Sequence, residues 1–119
     1  MPESLTPTEL HEAAEKLYAV APEASAGLFY SPEHGWNCAA CILFSDHAAA
    51  IITTAAMEWA EKNGYEVCTS FDADYGGEKW HCVMLHADIS PSDSPEARSP
   101  HSALAILAAI TAAAERSGR

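Results

Sequence analysis

Two of the four cysteines have the spacing of a metal-binding or redox pair. Cys38 and Cys41 are separated by two residues, a gap that lets two thiolates hold one Zn²⁺ ion. A structural zinc site needs two further ligands, and the sequence contains no second pair of this kind and no paired-histidine motif. A thioredoxin-type redox site would have Trp36 directly before Cys38, but Asn37 lies between them. Cys38 and Cys41 are therefore a weak zinc candidate, for which Cys68, Cys82, His47, His81 and His86 are the available further ligands. The alternative is that they are small buried thiols.

A nucleophile with a base beside it would indicate covalent or acid–base catalysis. Cys82 has His81, His86 and Asp88 near it in the sequence, but the alternation of a β-strand places His81 and Cys82 on opposite faces. The chain contains no glycine-bearing nucleophile turn and no phosphate-binding loop. The sequence therefore predicts a protein that is not an enzyme and that uses no cofactor or metal.

Acidic residues dominate the charge of the chain. It has 17 Asp and Glu against 6 Lys and Arg, a formal net charge of −11, which opposes direct binding of nucleic acid and favours a basic protein surface as partner. We predict a protein-binding acidic patch formed by Glu58, Glu61, Glu66, Asp72, Asp74 and Glu78. The first helix carries a second acidic row, Glu9, Glu12 and Glu15. The alternative is that this charge only keeps a small protein in solution.

Two helices are predicted before the acidic hairpin. The first spans about residues 7–20, because Thr6, Pro7 and Glu9 form a capping box and Leu10, Ala13, Ala14, Leu17 and Tyr18 form one apolar stripe. The second begins after Ser45 and ends at Asn63-Gly64. Its apolar stripe consists of Ile51, Ile52, Ala55, Ala56, Trp59 and Ala60.

The alternation of residues 65–71 and 80–86 predicts an antiparallel hairpin around the acidic loop 72–79. The second of these strands is apolar on both faces, which indicates a sheet with helices above and below it. One or two short strands are expected within 28–44, and a Ser- and Pro-rich surface loop over 89–98. Ser99-Pro100 then opens a last helix with an apolar face at Leu104, Leu107, Ala108 and Thr111, flanked by Ile106 and Ile110.

Together these elements predict one domain over residues 1–119 of the α+β class, with three helices packed on a small, mainly antiparallel sheet as in an α/β/α sandwich. The chain has 49% hydrophobic residues, which is ordinary for a globular protein. It begins Met1-Pro2-Glu3-Ser4, without the features of a secretion signal, and no apolar run is long enough to cross a membrane. A cytoplasmic protein is therefore expected.

The order of these elements resembles a known family. Residues 44–50 lead into the second helix, residues 57–65 close it, and residues 99–105 open an alanine-rich last helix. Over about residues 44–116 this resembles the phage α/β/α ("ABA") sandwich domain, a family of small phage and prophage proteins. The chain departs from it in two places, since the family has a Pro-x-Tyr-Ser sequence before the middle helix and often a Cys-Arg pair in the last one. The resemblance implies a fold and a phage origin, and it implies no catalytic residues.

Three functions are weighed on these observations. The first is a non-enzymatic, anti-CRISPR-like inhibitor that binds a host nucleic-acid-handling or defence complex in the host cytoplasm through acidic mimicry of phosphates. The second is a small-ligand module that binds a nucleotide between Trp36, Trp59, Trp80 and histidines. The third is a structural or interaction protein of a phage assembly. Apolar surface left on the last helix would allow a homodimer.

Overall fold

A computed structural model describes residues 7–21, 24, 48–74 and 76–117. The helices are α1 Pro7–Val20, α2 Ala48–Lys62 and α3 Ser102–Ser117, and the strands are β1 Tyr65–Phe71, β2 Trp80–His86 and β3 Glu96–Ser99. A 3₁₀ turn covers Pro91–Asp93. The predicted strands within 28–44, the Ser45 cap and the cysteines Cys38 and Cys41 lie outside the described residues.

The three described strands form one antiparallel sheet in the order β1-β2-β3. In the hairpin, Tyr65 lies opposite His86 and Phe71 lies opposite Trp80. On the other side of β2, Trp80 lies opposite Ser99. The predicted hairpin is confirmed, and both strands have the predicted bounds. The alternation of apolar and polar side chains specifies this register, because a shift by one residue would turn every side chain to the other face.

One core joins the helices to one face of the sheet. Helix α2 packs on β1, α3 packs on β2 and β3, and α1 packs against α3. Cys82 and Met84 on β2 are fully buried beneath Leu107 and Ile110 of α3. The predicted stripes of the first two helices are buried at Leu10, Ala14, Leu17, Ile52, Ala55, Ala56, Trp59 and Ala60.

This arrangement confirms the α+β prediction of three helices packed on a small antiparallel sheet. The expected placing of helices above and below the sheet is not found among the described elements, because α2 and α3 pack on the same face. Val83 and Leu85, whose apolar character suggested a second covered face, are half-buried and do not belong to that core. A thickness of 18 Å leaves room for the sheet and one layer of helices, each about 10–12 Å across.

The prediction of a loop over 89–98 is wrong for its last residues, because these belong to β3. Residues 96–99 have the sequence Glu-Ala-Arg-Ser, which has little intrinsic preference for a strand. They pair with β2, where Trp80, His81, Cys82 and Val83 have Ser99, Arg98, Ala97 and Glu96 as partners. Pairing with the open edge of β2 therefore determines the local structure more than propensity does.

The last helix begins two residues later than Ser99-Pro100 predicts. The backbone N–H of His101 donates to Ser99 Oγ at 3.2 Å, ahead of the first helical residue, Ser102. The predicted face of this helix is also partly wrong: Leu107 is buried, but Leu104 and Thr111 are half-buried and Ala108 is exposed. Because α3 is apolar nearly all round, its periodicity does not decide which side faces the core.

Candidate protein-binding site

Three of the predicted acidic residues line one open pocket between α2 and β1. Glu58 and Glu61 line it from α2, and Glu66 lines it from β1. The pocket has a volume of about 460 Å³, and its apolar wall includes Met57 and Val67. All three carboxylates are exposed, so a partner could reach them directly.

The sequence places these side chains through two local patterns. Thr54, Met57, Glu58 and Glu61 occupy positions i, i+3, i+4 and i+7 of α2 and therefore share one helix face. That face is next to the buried stripe that holds Trp59. Burial of the apolar stripe fixes the rotation of α2, and this rotation determines where the acidic face points.

The turn between α2 and β1 brings Glu66 to the same pocket. Asn63 donates from its side-chain Nδ2 to Trp59 O at 2.8 Å, and the Gly64 N–H donates to Glu61 O at 3.1 Å. Gly64 has φ = 86°, the left-handed conformation that ends helices at little cost only for glycine. Tyr65 then stacks on Trp59 with ring centroids 6.5 Å apart. The first residue of β1 is therefore anchored, and Glu66 follows it.

The carboxylates in this pocket, those of Glu58, Glu61 and Glu66, have no Lys, Arg or His as ion-pair partner in the part of the chain that the structure describes. Three like charges around one pocket create a negative potential that attracts a cationic side chain. The apolar wall suits the aliphatic part of Lys or Arg, which packs on apolar surface while its charged end stays in a polar environment.

The other three predicted acidic residues lie at the tip of the hairpin. Asp72, Asp74 and Glu78 are all exposed. Asp72 Oδ1 accepts a hydrogen bond from the Asp74 N–H at 3.1 Å, and the Asp72 N–H donates to Lys79 O at 2.7 Å. These bonds hold the start of the loop in a turn, with its carboxylates directed to solvent.

The predicted patch is therefore divided into two groups. Glu66 is near one end of β1, and Asp72 follows the other end. The two residues are six positions apart on extended backbone, which separates them by about 20 Å. We call the first group, Glu58, Glu61 and Glu66, the pocket acids, and the second, Asp72, Asp74 and Glu78, the tip acids.

Two exposed apolar side chains accompany these groups and were not predicted as site residues. Met57 lies in the pocket with 37% of its surface exposed, and Phe71 lies beside the tip acids with 55% exposed. The Phe71 ring meets Trp80 edge to face, with centroids 5.0 Å apart. Met57 could have been found from its place outside the buried stripe of α2. The sequence around Phe71 carries no comparable signal.

The aromatic residues expected to bind a nucleotide do not come together in the described part of the chain. Trp59 contacts Tyr65 at one end of the hairpin, whereas Trp80 contacts Phe71 at the other end. Trp36 lies outside the described residues.

The described cysteines and histidines do not form a metal-binding group. Cys82 is fully buried, and burial, with a smaller effect of Cys68, raises the pKa of its thiol from 9.0 to about 12. His81 Nε2 lies 3.6 Å from Glu96 Oε1, and His86 Nδ1 lies 3.9 Å from Asp88 Oδ2. Among the described residues, no three His, Cys, Asp or Glu side chains are grouped so that they could hold a metal ion.

None of the described helices is both long and apolar enough to cross a lipid bilayer. No protein family, curated protein or solved structure matches the chain.

Proposed function

We propose that this protein is a non-enzymatic inhibitor that binds a basic surface of a host nucleic-acid-handling or defence complex. The observation that carries the proposal is the position of the pocket acids, which surround one open pocket with an apolar wall. Such a pocket is complementary to a Lys or Arg side chain that would otherwise contact a phosphate group.

Mimicry of phosphates explains how binding would inhibit. A channel that binds nucleic acid holds clustered Lys and Arg, and its affinity depends on neutralising their charge. Carboxylates held on a folded domain can occupy the same cations without being a substrate. Opposite charge also speeds the encounter of the two proteins, and this effect weakens as salt is added.

The tip acids would provide a second contact on the same partner. Their distance of about 20 Å from Glu66 lets the two groups reach separate cations along an extended basic channel. Phe71 would supply an apolar anchor beside the tip acids, since exposed aromatic residues contribute strongly to protein interfaces. Charge would then increase the association rate and orient the two proteins, while Phe71 and Met57 would bury apolar area in the interface.

The biological setting comes from the resemblance to small phage proteins and from the net charge of −11. Together they support an anti-CRISPR-like protein that acts in the host cytoplasm. A homodimer stays a separate prediction from the sequence; among the described apolar residues of α3, Ala108 is the exposed one.

A pull-down from bacterial lysate with tagged protein tests the proposal. The expected result is capture of a basic nucleoprotein complex at low salt, loss of that complex at high salt, and reduced nucleic-acid binding by the captured complex. Recovery of the tagged protein alone, or of a complex whose nucleic-acid binding is unchanged, would contradict inhibition by mimicry.

A further inference from the structure

A second cleft lies between α1 and α3. Its volume is about 480 Å³. The apolar side chains that line it are Ala13 from α1 and Leu104, Ala108 and Ala112 from α3. Ala108 is exposed and the other three are half-buried, so part of this apolar floor is accessible.

The rims of this cleft are acidic. Glu9 and Glu12 line it from α1, and Glu115 lines it from α3. Among the described residues that line it, Lys16 is the one cation. An apolar floor between rims of negative charge is complementary to an apolar stripe flanked by Lys or Arg.

The dimensions of the cleft fit a helix. Along α3 it extends from Leu104 to Glu115, which is about 16 Å or three helical turns. Alanine side chains let a third helix approach within the usual 8–10 Å between helix axes. Laying the apolar face of an amphipathic helix into a groove is a common mode of recognition.

We infer that the α1–α3 cleft binds a cationic amphipathic helix of another protein. A second copy of this chain fits it less well, because each described helix carries a single Lys or Arg: Lys16, Lys62 and Arg116. A symmetric dimer through this cleft would also place the acidic rims of both copies in one interface, and like charges oppose such contacts.

This cleft is separate from the pocket acids. They lie on the face of α2 beside β1, whereas the cleft lies between α3 and α1. Each surface can therefore be changed while the other is kept, and the two proposals fail independently.

Fluorescence anisotropy with three labelled peptides of about 14 residues tests the inference, since this length covers three to four helical turns. The first peptide contains only Leu and Lys, with the leucines on one helical stripe. The second has the same composition with the leucines dispersed. The third has the leucine stripe with Glu in place of Lys. The inference predicts that the striped cationic peptide binds the full chain at 150 mM salt, about the physiological ionic strength, more tightly than either of the others.

Two variants locate the binding. Ala108→Arg places a large cation on the floor, and E12Q/E115Q removes charge from both rims. Each should weaken binding of the striped peptide about tenfold or more, the loss expected when a central contact of an interface is removed. Because all three positions are exposed, circular dichroism and Tm should stay close to those of the unaltered chain. The control E58Q/E61Q/E66Q alters the pocket acids and should leave peptide binding unchanged.

Several results would overturn the inference. Equal affinity for striped and dispersed peptides would mean that net charge alone is recognised, and unchanged affinity in Ala108→Arg would place the peptide elsewhere. A dimer in solution that Ala108→Arg makes monomeric would assign the cleft to a second copy of the chain.

Discussion

The imidazole ring of His86 lies directly against the backbone of Gly64. A Cβ atom added to Gly64 would come within 2.9 Å of His86 Nε2. The ring cannot move away freely, because its Nδ1 accepts the Asp88 N–H at 3.0 Å and its edge contacts the Tyr65 ring with centroids 4.9 Å apart. This contact lies at the turn that joins α2 to β1, between Glu61 and Glu66 in the sequence.

Replacement of Gly64 by alanine should therefore destabilise the fold. The positive φ costs a residue with a side chain about 1 kcal/mol, and the clash with His86 adds to it, so we expect a loss of about 2 kcal/mol. Thermal unfolding should show Tm lower by roughly 5–10 °C. Gly77→Ala is the matched control, since a Cβ there meets nothing within 4 Å. If Gly64→Ala and Gly77→Ala unfold at the same temperature, Gly64 is not constrained by its backbone conformation and by His86 as described.

A double-mutant cycle separates the two causes of that loss. In a His86→Ala background the clash is absent, so Gly64→Ala should cost about 1 kcal/mol less than in the unaltered chain. Equal costs in both backgrounds would mean that the backbone conformation alone accounts for the effect.

Cys82 should react slowly with alkylating reagents while the protein is folded. Its thiol is fully buried and its pKa is raised to about 12, so little thiolate exists near pH 8. Cys68 is half-buried and should be labelled first. Peptide mapping by mass spectrometry after a timed treatment with iodoacetamide measures both rates. Equal labelling of Cys68 and Cys82 in the native protein would contradict the buried position.

The same raised pKa makes stability depend on pH in the alkaline range. The folded-state pKa lies above the ordinary value of 9.0, so folding favours the protonated thiol. The contribution of the Cys82 thiol to the free energy of unfolding is complete below about pH 9. It is lost as the pH rises toward 12, by up to about 1.4 kcal/mol per pH unit. The free energy of unfolding can be measured in urea between pH 8 and 10.5 for the protein and for Cys82→Ala. It should fall less steeply with pH in the variant. An equal fall in the free energy of unfolding for both proteins would show that Cys82 does not cause the pH dependence.

Phe71 should matter for binding more than for folding. Because 55% of its surface is exposed, Phe71→Ala should cost less than about 1 kcal/mol of stability. Met84→Ala, at a fully buried position, should cost about 2–5 kcal/mol. If Phe71 is an interface anchor, Phe71→Ala should reduce capture of the partner while Tm changes little. Unchanged capture would remove Phe71 from the proposed interface.

The sequence predicts those elements whose signals are local. The capping box before α1 and the alternation in β1 and β2 determine structure within a few neighbouring residues, and the observed bounds agree with the predicted ones. Strand β3 was missed because its four residues become a strand only by pairing with β2. The orientation of α3 was partly missed because Ala-rich sequence offers more than one apolar face.

The candidate site shows the same division. Acidic residues are easy to find from composition, and the helical spacing of Glu58 and Glu61 brings them together. Their separation from Asp72 follows from the extended length of β1, and Glu66 joins them only because the turn at Gly64 directs it there. The exposed positions of Met57 and Phe71 depend on packing, which periodicity alone does not resolve.

The most direct test of the account compares two triple variants in the lysate pull-down. E58Q/E61Q/E66Q neutralises the pocket acids, and D88N/D93N/E96Q removes the same charge from exposed residues outside both acidic groups. The account predicts that the pocket variant loses capture of the basic complex at low salt, while the control variant captures it as the unaltered protein does. Equal capture by both variants would show that total charge, and not the pocket between α2 and β1, holds the partner, and would contradict the account.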